Sequence, residues 1–303
     1  MAKNRRCEVN LKSVEIFKGL SDDVLENLSK ILDERKVKKD TVIFEESSPA
    51  DVFCIIAGGQ VEVFKHLQDS GTKTLAVLSA GDYFGEMSLL EDKPRIASIR
   101  TVNDVVLLEI KKEKFLDLIS GDLNTGMKLL SAIMSTTLNR LSATNSHLTL
   151  LYDIGKTIAS SKNLRQMTTS AFTNIAKHFK YAESGLIAVY NEFTDELDIH
   201  LSINKTEHET IPLTDSFAQK ISAEKELMEN DKESIIASAF YFEEKFLGYI
   251  SFSGSLKNAF TMNDLILLSS AASLISVSIK NISFISEEEA RQRLKETKYT
   301  QGF

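Results

Sequence analysis

Residues 84–98 read Phe84-Gly-Glu-Met-Ser-Leu-Leu-Glu-Asp-Lys-Pro-Arg-Ile-Ala-Ser98. A glycine opens the stretch, a helix-forming turn follows, and a proline and an arginine bring the chain back. Gly85 lets the backbone approach a ligand closely. The amides after it begin a helical turn, where the first N–H groups have no internal partners and the dipole favours an anion. Glu86 cannot itself bind a phosphate, but it can accept hydrogen bonds from a hydroxyl such as a ribose 2′-OH. Arg95 offers a planar fork matched to two phosphate oxygens, and Pro94 stiffens the approach to it. A Glu and an Arg at this spacing also suit an ordinary surface salt bridge, so the local chemistry leaves both readings open.

Working outward, residues 22–33 place apolar side chains at 24, 25, 28, 31 and 32, one helical face, with Ser21 set to cap it. From 35 to 110 the pattern changes to short β-type runs, punctuated by Gly58-Gly59, Asp69-Ser-Gly71 and Gly81-Asp82. So many short strands predict a β-roll or jelly-roll barrel with flanking helices. Helical periodicity returns near 112. Met127, Met134, Leu141 and Leu148 then recur every seven residues, with Leu130, Thr137, Thr144 and Leu151 as a companion row. This seam predicts a helix that pairs with its copy in a homodimer; the alternative is an amphipathic helix packed on its own domain. Beyond it, helix-like residues 148–179 precede strand runs at 184–190, 197–202, 234–242 and 246–253, and a long helix starts near Met262. The order predicts a second, α+β domain with an antiparallel sheet.

The whole is expected to be α+β with two domains joined by a long connector helix. Its parts are an N-terminal extension (1–13), a β-roll domain (14–122), the connector (123–147), the second domain (148–284) and a charged C-terminal helix (285–303). The 303 residues are 43% hydrophobic and 26% charged, with a net charge of −7, the balance of a globular protein. Acidic side chains outnumber basic ones in both halves, which argues against nucleic acid as a partner. Cys7 and Cys54 are the only cysteines; no disulfide framework and a reducing compartment are expected. The N-terminus shows no apolar signal core. The apolar region at 265–285 is broken by serines, Lys280 and Asn281, so no membrane partner and a cytoplasmic location are expected.

The stretch 84–98 resembles the phosphate-binding cassette of cyclic-nucleotide-binding domains of the catabolite-activator and protein-kinase-A regulatory type. Gly85, Glu86, Leu89, Leu90, Pro94, Arg95, Ala97 and Ser98 match it, with Ser88 in place of the commoner alanine. Asp51–Ile56, Gly59–Val63 and Gly81–Phe84 resemble the upstream framework, so the likeness covers roughly residues 14–135. One departure is the pair Ser47-Ser48 where the family usually has Gly and an acid. The resemblance implies that Arg95 pairs with the cyclic phosphate and that Glu86 accepts the ribose 2′-OH. It implies that amides around Ser88 and Ala97 and the Ser98 hydroxyl complete the phosphate shell, and that Gly85 and Met87 line the ribose. Ile96 stands where members preferring cGMP often carry Thr, so the expected ligand is cAMP, with cGMP the alternative.

Residues 148–159, 246–252 and 260–281 resemble parts of GAF domains, over about 148–284. Phe260 and Asp264 match the signature of nucleotide-binding members, but Leu265 replaces its Glu and no Asn-Lys pair precedes. A structural or dimerising role is therefore expected of this domain. His178, His200 and His208 lack metal spacing, so no metal or cofactor is expected. No Walker loop, kinase set, cyclase acidic pair or zinc motif is present, and no catalytic function is expected. The implied function is a non-catalytic receptor that passes nucleotide binding through the connector helix to the GAF-like domain and a separate effector. A transcription regulator, or the regulatory subunit of an effector enzyme, is the alternative.

Overall fold

Phe53, Cys54, Ile55 and Ile56 are four consecutive, completely buried residues, because their strand is covered on both faces. The computed structural model describes residues 11–300 except 50, 68–70, 87–92, 205–207 and 231–232, with only the backbone at 13, 15 and 294–300. Cys7 and the basic side chains Lys3, Arg5 and Arg6 lie outside the described residues. The chain forms two compact units, Met1–Ala143 and Thr144–Phe303.

In the first unit, two short 3₁₀ turns and helix α1 (Asp22–Ile31) precede eight strands. These are β1 (Asp33–Val37), β2 (Val42–Phe44), β3 (Val52–Gly58), β4 (Gln60–His66), β5 (Thr72–Ser79), β6 (Tyr83–Phe84), β7 (Ser98–Thr101) and β8 (Val105–Lys111). They make two four-stranded sheets, ordered β1-β8-β3-β6 and β2-β7-β4-β5, with every pair antiparallel. The expected barrel is thus two open sheets, not a closed one.

Side-chain alternation explains the layers. Cys54, Ile56, Phe84, Val105 and Leu107 join Val61 and Ile99 in one apolar cluster. Phe53, Ile55, Tyr83, Leu108 and Ile110 point the other way, toward Leu25 and Leu28 of α1 and three later helical residues, Phe115, Leu129 and Ile133. Burial pushes the Cys54 thiol pKa up, and Cys54 is a core residue. Ser21 sits at the N-cap of α1, but its hydroxyl makes no capping bond.

Helix α2 (Lys112–Gly121) leads to α3, an unbroken helix over Leu123–Ser160, so the expected boundary at 147/148 falls inside a helix. Asp122 caps it, accepting from the Thr125 amide at 3.0 Å. Residues 148–179 are not one helix: α3 ends, and Asn163 caps α4 (Leu164–His178) through the Gln166 amide. Strands β9 (Ser184–Asn191), β10 (Glu196–Ile203), β11 (Thr210–Pro212), β12 (Glu226–Asn230), β13 (Ser234–Phe242) and β14 (Lys245–Gly254) form an antiparallel sheet ordered β11-β10-β9-β14-β13-β12.

One face of this sheet presents Ile187, Val189, Ile236, Ile250 and Phe252 to Leu150 and Ile154 of α3, to α4, and to the final helix α6 (Met262–Thr300). The other face carries Leu186, Ala188, Ala237, Ala239 and Tyr249 against Ala218 and Ile221 of α5 (Ser216–Glu224). The expected charged tail from 285 is a continuation of α6. Its Met262–Arg293 portion is long and apolar enough to cross a membrane. However, Leu265, Leu267, Leu268, Ala271, Ala272 and Ile275 are buried in the unit's own core.

His200 on β10 shares a 2.5 Å hydrogen bond with Thr168 of α4. Burial, reinforced by the Arg165 charge and opposed by Asp198, lowers its pKa from 6.5 to about 4. The unfolded chain therefore takes up this proton at a higher pH than the folded chain does. Its contribution to stability is complete above about pH 6.5 and is lost as pH falls toward about 4. His200→Gln is expected to flatten the acid-induced drop in melting temperature across that window; an unchanged slope in differential scanning calorimetry would remove His200 as its source.

Candidate functional site

Cys54 pairs with Phe84 across β3 and β6, which delivers Gly85 to the end of the sheet. Gly85 has φ +86°, and a Cβ built there would collide with the Arg95 guanidinium and crowd the Val52 carbonyl. Only glycine meets both demands. Arg95 is 5% exposed. Its Nη2 donates to the Val52 carbonyl at 2.7 Å, and its guanidinium lies 3.8 Å from the centroid of the Phe44 ring. Phe44 is in turn set edge-on against Phe84 at 5.8 Å. Burial lowers the Arg95 pKa from its ordinary value, opposed by Cys54, Asp51 and Glu86. A planar cation held against an aromatic face and fixed by a backbone carbonyl has the fork geometry that matches a two-oxygen anion.

The Arg95 backbone is fixed as well. Its amide donates to the Ser48 carbonyl at 3.0 Å, and its carbonyl accepts from the Ser47 amide at 2.7 Å. Ser47 adopts φ +65°, the conformation for which a glycine is suited. The serine in the family's usual glycine position thus keeps the left-handed turn, and this loop holds Arg95 directly. The Ser48 hydroxyl braces it by donating to the Glu45 carbonyl at 2.6 Å.

The other expected residues fall into place unevenly. Glu86 follows Gly85, with its side chain 13% exposed. Met87 and Ser88 lie outside the described residues. Ile96 is 56% exposed, and Ala97 is buried beside it. Ser98 is fully buried, with its hydroxyl engaged at the end of β2: it accepts from the Glu46 amide at 2.9 Å and donates to Glu45 Oε2 at 3.2 Å. Arg95, Gly85 and Val52 form one cluster, whereas the Ser98 hydroxyl is committed to Glu45 and Glu46.

Two residues absent from the sequence reading join the site. Phe44 supplies the ring under Arg95. Arg140 of α3 donates from Nη2 to the Tyr83 carbonyl at 2.8 Å and places Nη1 3.4 Å from Glu86 Oε1. Arg140 is the only Lys or Arg between Lys128 and Lys156, a signal that marks it out from the rest of the helix.

Described residues of the second unit line a cavity of about 420 Å³ that includes Tyr190 and His200, and another of about 450 Å³ that includes His208 and Tyr249. Phe260 is a core residue, and Asp264 caps its own helix by accepting from the Thr261 amide at 2.8 Å; both have structural work. Among the described residues, no group of three or more His, Cys, Asp or Glu side chains is arranged to hold a metal.

Residues 34–122 match the family model of the cyclic nucleotide-binding domain. The cGMP-dependent protein kinase, isozyme 2 forms cD5/T2, of Drosophila melanogaster is 38% identical over 114 residues, 37% of this chain and 12% of that protein. The cAMP-dependent protein kinase regulatory subunit of Aspergillus fumigatus is 31% identical over 113 residues, 37% of this chain and 27% of that protein. A CRP-like cAMP-activated global transcriptional regulator of Mycobacterium tuberculosis is 25% identical over 183 residues, 60% of this chain and 75% of that protein. The chain spans 12% and 27% of the two kinase-related proteins.

Gly85→Ala is expected to destabilise the first unit by about 1–2 kcal/mol from the backbone conformation alone, and by more once Arg95 is displaced. Urea unfolding of the variant checks this; an unchanged midpoint would mean that Gly85 does not set the position of Arg95.

Proposed function

We propose that this protein is a non-catalytic receptor for a cyclic nucleotide, cAMP in preference to cGMP, and that it signals as a homodimer to a separate effector. The observation that carries the reading is the buried Arg95 guanidinium, set between the Phe44 ring and the Val52 carbonyl beside a glycine at φ +86°. This is a site for an anion that also approaches Glu86, the hydroxyl acceptor one residue further on. A cyclic phosphate fused to a ribose presents both groups at once. The match of residues 34–122 to the cyclic nucleotide-binding domain supports the same ligand class. We assign Arg95, Glu86, Gly85, Met87 and Ser88 to the phosphate and ribose, with Ile96, Ala97 and Ser98 following the arginine as further candidates. Ile96 carries no hydroxyl to hold a guanine, which favours cAMP.

Arg95→Ala removes one partner of a desolvated charge pair, a change that costs about 2–5 kcal/mol and hence at least roughly tenfold in affinity. Calorimetric titration with cAMP and cGMP tests both parts. Undiminished cAMP binding by the variant would end the site assignment, and tighter binding of cGMP by the native protein would end the base preference.

The dimer reading rests on α3. Met127, Met134, Leu138, Leu141, Leu148 and Tyr152 are each more than half exposed. With Ser131 and Asn145 they follow a spacing of four and three residues, the seam of a two-stranded coiled coil. An Asn at one such position favours a parallel pair in a fixed register. The protein is expected to sediment as a dimer at micromolar concentration, and Leu138→Glu with Leu141→Glu as a monomer; equal masses would refute the seam. The second domain, which we read as GAF-like, then serves structure and dimerisation.

A second reading, cAMP-dependent DNA binding, is favoured by the alignment with the Mycobacterium tuberculosis regulator over 60% of this chain. Retention on duplex DNA that requires cAMP would establish it in place of a separate effector.

A further inference from the structure

Strand β10 carries a bulge where it pairs with β9: Ile199 is matched by Ala188 and Leu201 by Ile187, so His200 has no register partner of its own. A bulge re-aims a side chain, and here the imidazole lies against α4. Its Nδ1 shares the 2.5 Å hydrogen bond with Thr168, whose hydroxyl also donates to the Leu164 carbonyl at 3.0 Å, one turn back in the helix. A hydroxyl has one proton to give. With that proton on the helix carbonyl, Nδ1 carries the imidazole proton and Nε2 is left as an acceptor. His200 lines the cavity of about 420 Å³, whose floor is the edge of the core under α3, α4 and α6: Val189, Leu247 and Ile279. Tyr249 and the second cavity belong to the opposite face of the sheet.

We propose that this cavity binds a small organic amine in its protonated form, the ammonium donating to Asp198 and to His200 Nε2 and the apolar body lying on Val189, Leu247 and Ile279. The inference is independent of the nucleotide reading of the first unit. Charge selects the class. Asp198, Glu192 and Glu287 line the cavity against one cation, Lys280, and the Lys280 charge acts on Glu192, which also pairs with Lys245. Asp198 accepts from Asn191 Nδ2 at 2.9 Å through one oxygen, and neither Asp198 nor Glu287 has an ion-pair partner among the described residues. An anion would meet this surplus of carboxylates unfavourably, whereas an ammonium offers three donors and no acceptor. His200 suits the same partner: burial keeps its ring neutral at ordinary pH, so it accepts without repelling a cation. Phe193 lines the cavity as well and is wholly exposed, an aromatic face for the flank of a cation. The volume is that of a site for a small molecule.

The test titrates the full chain at neutral pH and physiological salt with three probes of one shape: phenethylamine, the uncharged 2-phenylethanol and the anionic phenylacetate. The readout is the imidazole C–H signals of the protein labelled at its five histidines, with His200 identified by its loss in His200→Gln. Phenethylamine is expected to shift the His200 signal saturably, 2-phenylethanol to bind roughly tenfold more weakly, and phenylacetate to give no saturable shift. Asp198→Asn is expected to weaken phenethylamine roughly five- to tenfold and to leave 2-phenylethanol unchanged. Ser283→Trp, which fills the cavity from α6, is expected to abolish binding of both. Thermal unfolding confirms that each variant is folded, and the probe series on the native protein stands without them. Equal affinity for the three probes, shifts spread evenly over all five histidines, or binding that survives Ser283→Trp would overturn the site. So would the absence of any saturable shift at His200.

Discussion

Burying a guanidinium is the constraint around which the first unit is built. Removing such an ion from water costs several kcal/mol unless its hydrogen bonds and charge are met. Here Arg95 is met from many directions: the Phe44 ring on β2, the Val52 carbonyl on β3, and the space left by Gly85 after β6. The 47–48 loop fastens its backbone. Phe44 belongs to the same sheet as β7, whereas Val52 and the β6 strand before Gly85 belong to the other, so the two sheets must pack correctly before all of them can meet at Arg95. The arginine is therefore held in place by the fold itself, and on the proposed reading little ordering would remain to oppose the binding of an anion. Phe44 has a double role, since it lies under the arginine and also packs edge-on against Phe84 between the sheets.

What the sequence made legible was the local part of this arrangement. Gly85, Glu86 and Arg95 lie within eleven residues of one another, and their chemistry can be read from residue type and spacing. The Val52 carbonyl could not be found that way, because every residue offers an equivalent backbone oxygen. The departure at Ser47 was visible, but its consequence was not: a left-handed serine that still completes the turn holding Arg95. Ser98 shows the reverse problem. Its identity fits a phosphate shell, yet in the folded unit the hydroxyl faces Glu45 and Glu46.

The heptad seam was half legible for a geometric reason. A row spaced by seven residues can be completed on either side, three residues on or four. The sequence pattern completed the row at Leu130, three residues after Met127. The exposed side chains of Leu138, Asn145 and Tyr152 complete it four residues on instead, while Leu129 and Ile133 are buried under β3 and β8. The barrel expectation met a similar limit. The β-type runs were readable, although not the strands β1 and β6, but whether the outer strands of the two sheets join depends on register and twist that no local pattern encodes.

Helix α3 thus brings different chemistry to its different sides within the first unit. Leu129 and Ile133 enter the core, Arg140 reaches the Tyr83 carbonyl and Glu86, and Met134, Leu138 and Leu141 remain exposed. A ligand can move a conformational equilibrium only by the difference in its affinity for the two states. The contacts of Arg95 to Phe44, Val52 and residues 47–48 are to strands and loops, so a phosphate bound by Arg95 alone would offer α3 little such difference. A sugar hydroxyl on Glu86 would, because the Glu86 carboxylate touches Arg140 of the helix. On the proposed reading the two halves of a ribose phosphate would therefore have separable tasks: the phosphate would anchor the ligand, and the hydroxyl would reach the side chain that contacts the helix. A free phosphate or sulfate would occupy the first position without engaging the second, and that difference is the physical basis on which the proposed site would distinguish a nucleotide from an inorganic anion.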